Sequence, residues 1–309
     1  MRDLTFIANA TAHHRTPTAA PLHCTTGRDM ARQDRAFCID IGRRAVRSLY
    51  AELTLYPKPG LVSLVDNGSH DDMTAVTFMR SLFSLRHYFI RITDAGMNDA
   101  PFSVLKGLGL EAERRMLLAT NGINTHRGAI FCLGLLCAAI GRCRARRIAL
   151  SAVAIRAELL TRWGDALAEH MQSAKPDSHG LRVAALHSVS GAREEATLGL
   201  PSLFEVALPA FEKTLDAGRG WNNACIDALF SLMSHISDTN VYHRAGVEGA
   251  VTVKLHAQRF LSLGATGHPE WKAYAIECHR IFVDQNLSPG GAADLLAATC
   301  LIHEVITCC

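Results

Sequence analysis

The sequence predicts an all-α protein, one multi-helical globular domain of about ten helices. Apolar residues recur at helical spacing in segment after segment, no stretch alternates convincingly as a strand, and 49% of the 309 residues are hydrophobic, enough for a sizeable core. The first clear segment carries Phe37, Ile41, Ala45, Leu49 and Leu53 on one face, the second Phe78, Leu82, Leu85 and Phe89, the third Leu105, Leu108, Ala112, Met116 and Ala119. Similar patterns cover roughly residues 127–143, 149–172, 202–217, 221–237, 244–263, 269–285 and 289–306. Residues 1–33 lack periodicity and read as a disordered extension before a domain at 34–309, with Met30 as an alternative start.

Composition narrows the function classes. A net charge of +3 and a pI near 8.4 are too mild for a general nucleic-acid or membrane-surface binder, so any basic site must be local. Ten cysteines fall largely on apolar helical faces without a CxxC pair or a secretory signal, which fits reduced thiols in a cytoplasmic protein. The longest apolar run, Ala129 to Ile140, is about half of a bilayer crossing and reads as a core helix.

Polar residues collect in five junctions between helices: PKPGLVSLVDNGSHDDM, ATNGINTHRG, SGAREEATLGLP, SDTNVYHRAG and NLSPGGAADLL. A chain reversal needs Gly, Pro, Asn or Asp, but not Lys58, His70, His126, Arg127, Arg193 and Arg244. One such junction is ordinary loop polarity; five together point to a site. Asn124 or Thr125 is placed to cap a helix beginning near His126, where free N–H groups and Arg127 suit phosphate. Ser288 can cap the last helix, and Gly290 and Gly291 leave its first turn bare beneath Asp294, so that a ligand or another backbone is expected there. Asp71 fits a helix cap, leaving His70 and Asp72 as the functional pair of their loop. Hard oxygen ligands beside cations fit Mg²⁺ held jointly with phosphates, and no His/Cys spacing suits zinc. No Walker or dinucleotide glycine loop is present.

With those motifs in this order, from about Ala45 to Thr299, the chain resembles the triphosphoribosyl-dephospho-CoA synthase family, which serves citrate lyase and malonate decarboxylase. Two positions depart from the family's pattern: Arg127 stands where Lys is common and Glu194 where Gly is, which favours Glu195 as the functional glutamate. The resemblance implies an all-α transferase that takes ATP and 3'-dephospho-CoA, joins the triphosphoribosyl group to the acceptor's 2'-hydroxyl and releases adenine. A downstream transferase and an acyl carrier protein then follow as partners, without nucleic acid or membrane. The absence of a fused transferase domain leans toward malonate decarboxylase as client.

Breaking a ribose N-glycosidic bond passes through an oxocarbenium-like state that wants negative charge, while a triphosphate wants cations. Lys58, Arg127, Arg193 and Arg244, with Asn124, Ser288, Gly290 and Gly291, are therefore expected around the phosphates. Asp72, Glu113, Asp238 and Asp294 are expected to meet Mg²⁺. Catalysis is expected from His70, Asp72, Glu195 and His126, with a base worth about 10² to 10⁴ in rate and His126 as an acid toward adenine. Two other classes compete: an HD-like metal phosphohydrolase, suggested by His70-Asp71, and a non-catalytic helical module that binds nucleotide or carrier protein.

Overall fold

The computed structural model describes residues 27–172 and 192–307, and all regular structure among them is helical. In chain order the helices are α1 (Gly27–Thr54), α2 (Ala75–Met97), α3 (Phe102–Ala119), α4 (Arg127–Ala145), α5 (Ala152–Gln172), α6 (Ala192–Thr197), α7 (Leu208–Asp216), α8 (Trp221–His235), α9 (Thr239–Ser262), α10 (Trp271–Asp284) and α11 (Gly290–Thr307). A π-helical turn, Ser202–Ala207, leads into α7. Helix α1 begins seven residues ahead of the expected boundary at 34, in a largely exposed turn whose polar sequence carries no apolar period.

The first five helices pack around the α2–α4 pair, and α7 to α9 pack around α8. Helix α11 joins the two groups by lying against α1, α4 and α8 at once. Helices α4 and α11 are long and apolar enough to cross a bilayer by length and composition, yet most of each is buried inside the fold. The apolar run 129–140 is thus the core helix its sequence suggests. The buried core runs without interruption from Ile41 on α1 to Val305 on α11 and contains Trp163, Phe89, Phe211 and Phe230.

The α2–α4 crossing depends on small residues. A Cβ at Gly96 would collide with the Ala138 carbonyl, and one at Gly141 with the Thr93 carbonyl. Both obstacles are backbone, so the helices must separate to admit a methyl group. Gly96→Ala is therefore expected to lower stability by about 1–3 kcal/mol, read as a lower urea midpoint at unchanged slope.

Candidate active site

Four of the five junctions, together with the start of α6, face one cavity of about 1410 Å³ between the two helix groups. That exceeds the roughly 300–1,000 Å³ usual for a single small ligand. Of the expected residues His70, Asp72, Glu113, Asn124, His126, Arg127, Glu195, Asp238, Arg244, Ser288, Gly290, Gly291 and Asp294 line it, with Glu52 added. Lys58 does not, and the side chain of Arg193 lies outside the described residues.

The first junction explains the position of Lys58. Gly60 has φ +70°, and any Cβ there would strike the Leu287 carbonyl, so the PKPG bend presses against the α10–α11 corner. Ser69 Oγ donates to the same Leu287 carbonyl at 2.6 Å, and Gly60 N–H donates to His279 Nδ1 at 3.3 Å. So clamped, the bend turns Lys58 inward: its side chain is 1% exposed and its ammonium lies 2.5 Å from Glu52 Oε1. Burial pushes the Lys58 pKa down and Glu52 opposes that shift. The expectation of a phosphate ligand is corrected to a buried ion pair beneath the cavity.

Sequence reasoning missed Glu52. Its signal was present, a carboxylate between Leu49 and Leu53 in the buried register of α1.

At the end of the first junction Thr74, not Asp71, caps α2, through a reciprocal bond pair with Thr77. His70 turns into the cavity. Its Nε2 lies 2.8 Å from Ser288 Oγ, and Arg244 Nη1 lies 3.4 Å from Nδ1. A guanidinium only donates, so Nδ1 is the acceptor and Nε2–H donates to Ser288. Burial first and Arg244 second push the His70 pKa below 6.5. Arg244 also holds Asn286 and the Ser69 carbonyl. Asp72 remains 63% exposed at the rim, its Oδ1 3.7 Å from His70 Nδ1.

The second junction positions His126 and Arg127. His126, not Asn124 or Thr125, holds the N-cap position of α4 and makes no side-chain cap bond; Asn124 Oδ1 accepts from Arg127 N–H at 3.2 Å, and the Arg127 guanidinium lies 2.5 Å from Glu113 Oε1. His126 is buried. Thr125 Oγ1 donates to Ser81 Oγ at 2.7 Å, which leaves the Ser81 hydroxyl hydrogen for His126 Nδ1 at 2.6 Å. The imidazole proton therefore sits on Nε2, a buried atom with no partner among the described residues. Burial, with help from the Lys58 charge, pushes the His126 pKa down to about 3. The expected acid role does not fit a ring held neutral: His126 lines the cavity as an uncharged imidazole.

The last two junctions fill helix ends with carboxylates. Asp238 accepts from Ala292 N–H at 3.1 Å and from Asn240 N–H at 2.9 Å, so Asp238, not Ser288, caps α11. The bare glycines admit this contact: a Cβ on Gly291 would lie 3.0 Å from Asp238 Oδ2, and one on Gly290 2.9 Å from Asn240 Nδ2. Asp294 in turn sits on the first turn of α4, where its carboxylate accepts from Ala129 N–H and occupies the space a Gly128 side chain would need. Burial raises the Asp238 pKa against these N–H bonds. Asp294 is pushed well above the ordinary carboxylate range by burial, Glu52 and Asp238. Glu195 accepts from Ser202 Oγ at 2.6 Å and from Ser202 N–H at 3.2 Å, which ties α6 to the π-helical turn.

Three of the four acids expected at Mg²⁺ have other partners: Glu113 pairs with Arg127, and Asp238 and Asp294 accept backbone N–H bonds. Among the described residues no group of three or more His, Cys, Asp or Glu side chains could hold a metal ion. The described residues therefore offer neither a prebuilt metal centre nor the ligand set of an HD-like hydrolase.

A cavity floored by acids and rimmed by arginines, built on helices alone, is an enzyme site for large anionic substrates. Residues 38–308 match the model of the family described as CitG, ATP:dephospho-CoA triphosphoribosyl transferase. A probable 2-(5''-triphosphoribosyl)-3'-dephosphocoenzyme-A synthase of Acinetobacter calcoaceticus is 36% identical over 86% of this chain and 94% of that protein. The 2-(5''-triphosphoribosyl)-3'-dephosphocoenzyme-A synthase of Pectobacterium atrosepticum is 37% identical over 89% and 92%. A probable synthase of the same name from Stutzerimonas stutzeri is 38% identical over 89% and 95%. No solved structure matches the chain. The chain belongs to the ATP:dephospho-CoA triphosphoribosyl transferase family.

Proposed function

We propose that this enzyme moves the 5-triphosphoribosyl group of ATP to the 2'-hydroxyl of 3'-dephospho-CoA and releases adenine. The product is the precursor of the prosthetic group on the acyl carrier protein of malonate decarboxylase or citrate lyase. The observation that carries this reading is the convergence of motif residues from separate junctions on one cavity large enough for two nucleotides.

Each side chain has a role set by its surroundings. Glu52 and Asp238 place carboxylates along the cavity, a field that favours positive charge developing on the ribose. Arg127 and Arg244 at the wall take the phosphates. When a phosphate draws Arg244 away, His70 Nδ1 is released to accept the proton of the attacking hydroxyl. His126 Nε2–H donates to the bound nucleotide and orients it. Mg²⁺ arrives with ATP as part of the substrate, and Asp72, the most exposed acid of the expected set, is the carboxylate best placed to approach it. Such substrates are supplied in the cytoplasm, where we place the enzyme.

Incubation with ATP, Mg²⁺ and 3'-dephospho-CoA is expected to yield free adenine and a CoA derivative heavier by one triphosphoribosyl group, read by mass spectrometry. Release of phosphate without adenine would overturn the assignment in favour of hydrolysis.

A further inference from the structure

Helix α3 contributes an unusual wall to the cavity. Phe102, Leu105, Lys106, Gly109, Leu110 and Glu113 all line it, at spacing i, i+3, i+4, i+7, i+8 and i+11. One face of the helix therefore borders the cavity for three turns, about 16 Å at 1.5 Å per residue. The C-terminal end of this face is Glu113, paired with Arg127 at the polar centre. The other end is Phe102, whose ring lies 5.5 Å from that of His170 on α5.

Gly109 sits in the middle of the stretch, and packing among the described residues gives no reason for it. A Cβ there would meet only the Tyr88 hydroxyl, at 3.8 Å. An interior helical glycine costs about 1 kcal/mol relative to alanine, so the empty position is expensive unless something outside the chain passes over it. Leu110 beside it is 58% exposed. Between the ends the wall is apolar apart from Lys106, so it suits neither a triphosphate nor a Mg²⁺ complex. It is also longer than a nucleobase.

We propose that this α3 groove holds the long uncharged pantetheine arm of the acceptor and so selects dephospho-CoA over armless nucleotides. The inference rests on the proposed transfer reaction. It assigns the arm to one end of the cavity and leaves both nucleotide heads, with their phosphates, at the polar end. Methylene and gem-dimethyl groups of the arm would cover Leu105, Leu110 and the bare Gly109 backbone, while its amide carbonyls come within reach of Lys106.

The test compares Gly109→Phe and Leu110→Asp with the wild type at saturating ATP. ADP serves as the armless competitor, since it has the acceptor's adenosine diphosphate without the arm. Either variant is expected to raise KM for 3'-dephospho-CoA about ten-fold or more, with KM for ATP and the inhibition constant of ADP against the acceptor changed less than about two-fold. 4'-Phosphopantetheine, the arm alone, should inhibit the wild type competitively against the acceptor and the variants much less. Equal weakening of ADP and dephospho-CoA, a rise in KM for ATP alone, or unchanged acceptor KM would each overturn the groove assignment. If Gly109→Phe does not fold, the exposed Leu110 position carries the test. A wild type that releases no adenine with 3'-dephospho-CoA would instead sink the transfer reaction itself.

Discussion

Replacing Lys58 by Met is expected to lower the unfolding free energy by about 3–5 kcal/mol, because it leaves the Glu52 carboxylate buried without its cation. Both groups are buried: the Lys58 side chain is 1% exposed and that of Glu52 6%. Asp294 also lies close enough to Glu52 for the two carboxylates to disfavour each other's charge. The same change with Glu52→Gln should recover much of the loss, since it removes the stranded charge along with its partner. Urea unfolding of the two variants decides the point. A Lys58→Met loss under about 1 kcal/mol would mean that Glu52 takes up a proton or finds water when its partner leaves. Were Lys58 a phosphate ligand, the variant would keep its stability and lose ATP affinity, the opposite pattern.

Much of the fold was legible because helical periodicity is written along each segment independently of the others. Leu49 and Leu53, Phe78 and Leu85, or Leu105 and Met116 declare their buried face without reference to a partner. The membership of the cavity was legible for a related reason: cations and acids placed beside glycines have no duty in a simple turn. What each residue does there depends on contacts across the chain, which spacing does not encode. Asp238 caps a helix that begins more than fifty residues later, and Ser288, the local candidate, turns to His70 instead. Lys58 reads as a presented cation until the collision of Gly60 with Leu287 fixes the direction of its loop. The two glycines of the last junction were rightly marked as a place of close approach, but the visitor is the chain's own Asp238 and Asn240.

His126 carries the second large expected effect, a stability that declines as pH falls below about 6.5. The folded protein holds the ring neutral down to about pH 3, because burial and the nearby Lys58 charge oppose a second proton. In the unfolded chain the ring titrates near 6.5. Between these values the unfolded state binds the extra proton, so stability rises with pH through the window and is fully present above 6.5. Each pH unit lost inside the window costs up to about 1.4 kcal/mol, or roughly 3 kcal/mol between pH 6.5 and 4 from this residue alone. His126→Asn, which can still accept from Ser81 Oγ, should flatten that part of the profile while leaving the contribution of other groups in place. The readout is the difference between the two urea-midpoint curves over pH 4–7, which cancels the carboxylates common to both proteins. Parallel curves would show that the ring charges without penalty, and an imidazolium would then be available to protonate adenine after all. Convergence toward low pH is the expected result, because no acceptor among the described residues meets the buried Nε2, and burial disfavours a charged ring there.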